Sequence, residues 1–295
     1  MLAFITSLRH PHNSRDYSHV EKLLQRTLKS IGQQTDDDYV VIIVGNTRPR
    51  FPLDPKVHFV GVDWAAPTTI NSPETGMGPF AWDKGTKLGL GLVAARSLKP
   101  DHVMFFDADD FVSRHIAEWV NTHESPGWVV RKGYMYSQRR NAYVPRRRLH
   151  KICGTTFILP YESYEVPGHL TVESSQYEIA DGFTDEMMDK AIADHRYGVE
   201  YWADQGRILQ PLPFAGTVYH VETGENHSGS RLLGPGLPWK EMLLNDFGVP
   251  SSRSFGKTLW GAFGPAALKP DLRPRRPFFL KPKGLMWQRP TEASS

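Results

Sequence analysis

Apolar residues along this chain fall into short runs and periodic stretches. Ala3 to Leu8, Tyr39 to Val44, Val57 to Val62 and His102 to Asp107 are near-continuous apolar runs that read as buried strands. Val20, Leu23, Leu24, Thr27, Leu28 and Ile31 recur at helical spacing, and Gly32 marks the end of that helix. Asp83 to Leu98 is a second helical stretch. Residues 63–82, rich in Pro, Gly and Thr, are expected to form a long loop, a feature that in compact domains usually serves function. The β-α-β alternation predicts an α/β fold with a mostly parallel, doubly wound sheet. Ligands of such sheets sit at the carboxyl ends of the strands, so the ends at Leu8, Val44 and Asp107 should face one crevice.

The second half is less regular. Trp128 to Tyr136 and Thr155 to Leu159 read as strands, with the basic residues Arg139, Arg140, Arg146, Arg147, Arg148 and Lys151 between them. Asp185 to His195 reads as a helix, Ile208 to Leu212 and Thr217 to His220 as short strands, and Trp239 to Phe247 as a helix. Three regions follow: residues 1–125, a nucleotide-binding half; 126–250, a mixed half on the acceptor side of the same domain; and 251–295, a basic, Pro-rich C-terminal tail.

Charge changes this picture at one place. The chain carries a net +3, but residues 253–295 hold nine Lys/Arg against two Asp/Glu. The body is therefore mildly acidic, which argues against nucleic acid as a partner, because a nucleic-acid footprint would be a basic face on the fold. The tail interleaves its basic residues with Phe278, Phe279, Leu280, Leu285, Met286 and Trp287, a mixture suited to peripheral contact with an anionic membrane or to wrapping over its own domain. Cys153 is the only cysteine, so no intrachain disulfide forms, which fits a cytoplasmic setting. No stretch has the apolar length to span a bilayer, and Met1 to Leu8 reads as a first strand, not a signal peptide.

The candidate chemistry sits where the fourth strand ends in Asp107-Ala108-Asp109-Asp110. Ionised carboxylates are costly to bury and repel one another, so three in four positions call for a cation. Hard oxygen ligands suit Mg²⁺ or Mn²⁺ with positions left for phosphate oxygens. Asp109 and Asp110 compete for the second ligand position. Capping of a following helix by Asp110 or Ser113 explains one acid of the three.

Three segments together resemble a glycosyltransferase of the nucleotide-sugar-binding GT-A type, in particular of family two. They are Leu28-Lys29-Ser30-Ile31-Gly32-Gln33-Gln34-Thr35 leading into Tyr39 to Val44, the lysine-led Lys84-Gly85-Thr86-Lys87-Leu88 helix, and Phe105-Phe106-Asp107-Ala108-Asp109-Asp110, which is similar to the DxD motif. The resemblance covers residues 1–125 well and 150–230 loosely. It implies metal-dependent transfer of a sugar from a nucleotide-diphosphate sugar, a UDP-sugar, to a hydroxyl of a glycan or lipid-linked acceptor, with inversion. It assigns Ser7, Asn46, Lys84 and Asp107 to the donor, and Asp107, Asp109 and His220 to the metal, with His227 competing for the histidine's place. Asp185, with Glu186 second, takes the role of the family's catalytic carboxylate before a helix. The chain departs from the family after the second strand, where Gly45-Asn46-Thr47 stands in place of an acidic residue. Two other readings compete: a phosphatase of the haloacid dehalogenase type, which also uses D-x-D after an apolar strand, and a non-catalytic sugar- or polyanion-binding module using the arginines at 139–148.

Overall fold

The computed structural model describes residues 1–72, 76–251, 253–268 and 287. Twelve strands occur among them: β1 (Leu2–Ser7), β2 (Tyr39–Gly45), β3 (Val57–Gly61), β4 (His102–Phe105), β5 (Phe111–Val112), β6 (Trp128–Val129), β7 (Gly133–Ser137), β8 (Ala142–Arg146), β9 (Phe157–Pro160), β10 (Gln210–Pro211), β11 (Thr217–Val221) and β12 (Leu237–Pro238). They form a seven-stranded sheet in the order β10-β6-β9-β4-β1-β2-β3 and a five-stranded sheet in the order β12-β8-β7-β11-β5. The sheets mix parallel and antiparallel pairs. β3, β2, β1 and β4 run parallel, with Leu2 opposite both Tyr39 and His102. β9 then reverses direction against β4 and β6. The second half of the chain thus extends the first half's sheet as well as building the smaller one.

β1 and β2 are apolar throughout because both of their faces are covered. Ala3 and Ile5 pack in one core with helix α2 (Met77–Ala95), while Leu2 and Phe4 pack in a second core with helix α1 (Tyr17–Ile31) and the small sheet. Asp16 caps α1 by accepting from the Ser18 and His19 amides, and Gly32 closes it. Gly91 lets α2 lie close to β1, since a Cβ there would collide with the Ile5 side chain.

Four elements differ from the sequence expectation. α2 begins at Met77, six residues before Asp83, and so absorbs part of the expected loop. Pro79 is its third residue, where a missing N–H costs nothing. The expected strand 128–136 splits, with β6 in the large sheet and β7 in the small one, because the chain changes sheets between them. The expected helix 185–195 is one α-turn, Asp185–Met187, that widens into a π-helix over Met188–Ile192. Helix Glu241–Phe247 starts two residues later than expected.

Most of the basic tail, including Phe278 to Met286, lies outside the described residues. Its described parts are helices Phe255–Phe263 and Pro265–Leu268 and the residue Trp287. Trp287 is buried against Trp82, with ring centroids 5.0 Å apart, and its backbone N–H donates to Asp189 at 2.7 Å. At that residue the tail packs on its own domain. Among the described residues no helix is long and apolar enough to cross a membrane.

Candidate active site

A cavity of about 500 Å³ opens at the carboxyl ends of β1 and β4. Ser7 and Arg9 line it from the end of β1, Lys84 from the first turns of α2, and Asp107 and Asp109 from the turn after β4. The segment after the π-helix contributes Asp194 and His195, and the loop after β11 contributes Asn226 and His227. Ser7, Lys84, Asp107 and Asp109 are therefore brought together as the sequence predicts.

The charges in this cavity are tightly linked. Lys84 Nζ donates to Asp107 Oδ1 at 2.6 Å. Gly154 leaves room for that carboxylate, since a Cβ there would lie 2.8 Å from Asp107 Oδ2. Burial opposes ionisation of Asp107, but the Lys84 ammonium outweighs it and holds the carboxyl below its usual range. Asp109 has no such partner. Burial first, and the charge of Asp107 second, push its carboxyl up to about 7, against hydrogen bonds from Thr223 and Asn226 to its Oδ2. The cavity thus presents an ionised carboxylate beside one that keeps its proton near neutrality for want of a positive charge.

Asp110 points elsewhere. It is fully buried and lies outside the cavity lining. Its Oδ2 accepts from Thr155 Oγ1 at 2.6 Å and Cys153 Sγ at 3.2 Å, and its Oδ1 from the His220 amide at 3.0 Å. It braces the turn after β4 to β11 and to the 153–155 segment. Between the two acids that competed for the second ligand position, Asp109 is the one in the cavity.

Three groups of expected site residues are corrected by their placement. The His220 ring does not line this cavity. It lies buried between Phe111 and Tyr136, with centroids 5.5 and 5.7 Å away, and burial lowers its pKa to about 4. β11 turns it away because its backbone is committed to Asp110. Among the described residues no group of three or more His, Cys, Asp and Glu stands ready to hold a metal ion. His227, its competitor, does line the cavity and stacks on Phe80 at 3.9 Å. Asn46 also lies outside the lining, its Nδ2 donating to the Trp64 carbonyl at 2.8 Å.

Asp185 and Glu186 do not face the cavity either. Asp185 accepts from Trp287 Nε1 at 3.2 Å, Glu186 pairs with Lys190 at 2.6 Å, and both are exposed. The π-helix that follows them delivers Asp194 and His195 instead, residues the sequence reading had placed at the end of a regular helix. Asp194 is 6% exposed and pairs with Arg196 at 2.8 Å. Burial resists its ionisation, but the hydrogen bond from Arg196 prevails and keeps its pKa low. Burial pushes His195 down to about 4, and its Nε2 has no hydrogen-bond partner. The acid-histidine-arginine string 194–196 was the available signal, hidden by the assumption of unbroken helical periodicity.

A divalent cation fits this arrangement on the chemistry of its donors. Asp107 and Asp109 offer hard oxygen ligands in one cavity, and the raised proton affinity of Asp109 reports an unmet demand for positive charge. Mg²⁺ and Mn²⁺ are commonly held by one or two carboxylates with phosphate oxygens completing the shell.

No protein-family model and no curated protein matches the sequence. Among solved structures the fold is similar to S. aureus TarS, with 14% identity over 75% of this chain and 36% of that one and a TM-score of 0.43. It is also similar to S. aureus TarS 1-349 in complex with UDP-GlcNAc, with 14% identity over 78% of this chain and 61% of that one and a TM-score of 0.43. The corresponding values for TarS 1-349 in complex with UDP are 14%, 75%, 61% and 0.42. The chain spans between 36% and 61% of the length of these three structures.

Proposed function

We propose that this protein transfers a sugar from a nucleotide-diphosphate sugar to an acceptor hydroxyl, with inversion at the transferred carbon. The observation that carries this reading is the convergence of Lys84, Asp107, Asp109 and Asp194 on one cavity at the carboxyl edge of the sheet. A sheet edge of this kind is where α/β folds bind nucleotides. Asp107 and Asp109 would hold a divalent cation, and such an ion supplies Lewis-acid neutralisation of the leaving diphosphate. Lys84 adds a fixed positive charge on the same side, held in place by Asp107.

Asp194 is the base. As the acceptor oxygen bonds to the anomeric carbon and the bond from that carbon to the diphosphate breaks, the hydroxyl proton passes to the Asp194 carboxylate. Arg196 keeps that carboxylate ionised and oriented beforehand. The acceptor is a glycan or lipid-linked hydroxyl, and a UDP-sugar is the donor.

The test is an incubation with UDP-sugars and Mn²⁺, followed by release of UDP and of free or transferred sugar. Metal-dependent release of UDP supports the reading. Release of inorganic phosphate from simple monoesters, with nucleotide sugars untouched, would replace it with a phosphatase.

A further inference from the structure

The helix Phe255–Phe263 carries its large side chains on the outside. Phe255 is 79% exposed, Leu259 37%, Trp260 66% and Phe263 55%, while its buried residues are Thr258, Gly261 and Ala262. Phe255, Leu259 and Phe263 recur every four residues and so form one stripe. A surface helix of a water-soluble fold ordinarily does the reverse, burying its large apolar residues and exposing polar ones. Leu233, 53% exposed, and Leu237, 40% exposed, extend the apolar surface from the neighbouring chain, where the Gly236 amide donates to the Ala262 carbonyl at 3.1 Å.

This helix is firmly held. Arg140 is 2% exposed and gives all of its direction to the helix end and the adjoining loop. Its Nε donates to the Gly261 carbonyl at 2.9 Å, Nη1 to Leu232 at 2.6 Å, and Nη2 to Gly234 at 2.8 Å and Ala262 at 3.1 Å. A cation at helix C-terminal carbonyls is favourable, and this one is buried to make the contact. Asn141 Nδ2 adds a bond to Thr258 Oγ1 at 2.7 Å. Gly261 has no space for a Cβ, which would collide with the Arg140 carbonyl. Small residues seat the helix, and the outward stripe is thereby presented rigidly.

The charge around the stripe selects its partner. Arg253 and Lys257 are exposed, residues 253–268 contain no acid, and residues 253–295 carry nine Lys/Arg against two Asp/Glu. Trp and Phe beside Lys and Arg are the composition that enters the headgroup region of an anionic bilayer. We propose that the face made by Phe255, Leu259, Trp260 and Phe263 docks on an anionic lipid surface. This inference does not rest on the sugar-transfer reading, and its test reads no catalysis.

The experiment is co-sedimentation of the full chain with vesicles of phosphatidylglycerol and phosphatidylcholine, against vesicles of phosphatidylcholine alone. Wild type should pellet with the anionic vesicles, and less so in high salt. Phe255→Ser with Trp260→Ser should weaken partitioning by about tenfold or more while leaving the thermal melt in place. Arg253→Glu with Lys257→Glu should reduce the preference for anionic over neutral vesicles. Wild type that ignores anionic vesicles, or partitioning untouched by the serine pair, would overturn the proposal. So would a concentration-dependent dimer in buffer that the serine pair dissolves and vesicles do not affect, which would make the face a self-association surface.

Discussion

Lys84 Nζ lies 2.6 Å from Asp107 Oδ1, while Asp109, two residues further on, faces the same cavity without a cation of its own. One lysine thus compensates one of two carboxylates, and the uncompensated one holds its proton to about pH 7. Substituting Lys84→Met would leave both acids without a partner. A pair of this kind, with the Asp107 side chain still 30% exposed, should cost roughly 1–3 kcal/mol, less than a fully buried pair. Mn²⁺ should restore part of the lost stability. Thermal melts with and without metal measure this, and an unchanged melting temperature would show that the ion pair contributes nothing.

The base is separable from its predecessor in the chain. Asp194→Asn should bind metal and nucleotide as wild type does but turn over about 10² to 10⁴ times more slowly. Asp185→Asn, on a residue bonded to Trp287 outside the cavity, should keep turnover within about twofold of wild type. Steady-state rates of the two variants under one donor concentration decide between them. A large loss in Asp185→Asn with none in Asp194→Asn would return the role to the earlier acid.

Asp110 should behave as a structural group. Asp110→Ala removes acceptors for Thr155, Cys153 and the His220 amide, and should lower stability by about 2–4 kcal/mol. Chemical denaturation reads the loss. A variant as stable as wild type would mean that the three donors find other partners.

Acid should destabilise the fold through His150. This side chain is 5% exposed, its Nδ1 has no hydrogen-bond partner, and burial together with Lys151, Arg131 and Arg148 lowers its pKa to about 4. The unfolded chain takes up the proton near the ordinary 6.5, the folded chain only near 4. The contribution is therefore present above pH 6.5 and is lost as pH falls towards 4. His150→Gln should lose less stability than wild type over that window, by roughly 1–3 kcal/mol. Equal losses in the two proteins would remove His150 from the acid response.

Parts of this architecture are legible in the sequence because they follow from short-range periodicity. The apolar runs at Leu2–Ser7 and Tyr39–Gly45 can only be strands covered on both faces, and the acids after Phe106 can only sit at an open strand end. Other parts depend on choices periodicity does not record. Gly76 to Pro79 reads as loop, yet it opens α2, because proline is harmless in a first turn. Nothing in Trp128 to Tyr136 says that the chain changes sheets midway. A π-turn at Met188–Ile192 shifts the helical register, so an acid assigned by position, Asp185, ends outside the cavity while Asp194 ends within it. His220 alternates correctly on its strand, but which face of that strand meets the cavity is set by the partner sheet, not by the strand itself.

The central claim is that Asp107 and Asp109 bind a nucleotide diphosphate through a divalent cation. Isothermal titration of UDP into the protein with Mn²⁺, with a chelator, and into Asp109→Asn with Mn²⁺ tests it most directly. The account predicts binding in the first case only, with wild-type thermal stability retained in the variant before ligand is added. Equal UDP affinity in all three titrations would contradict it.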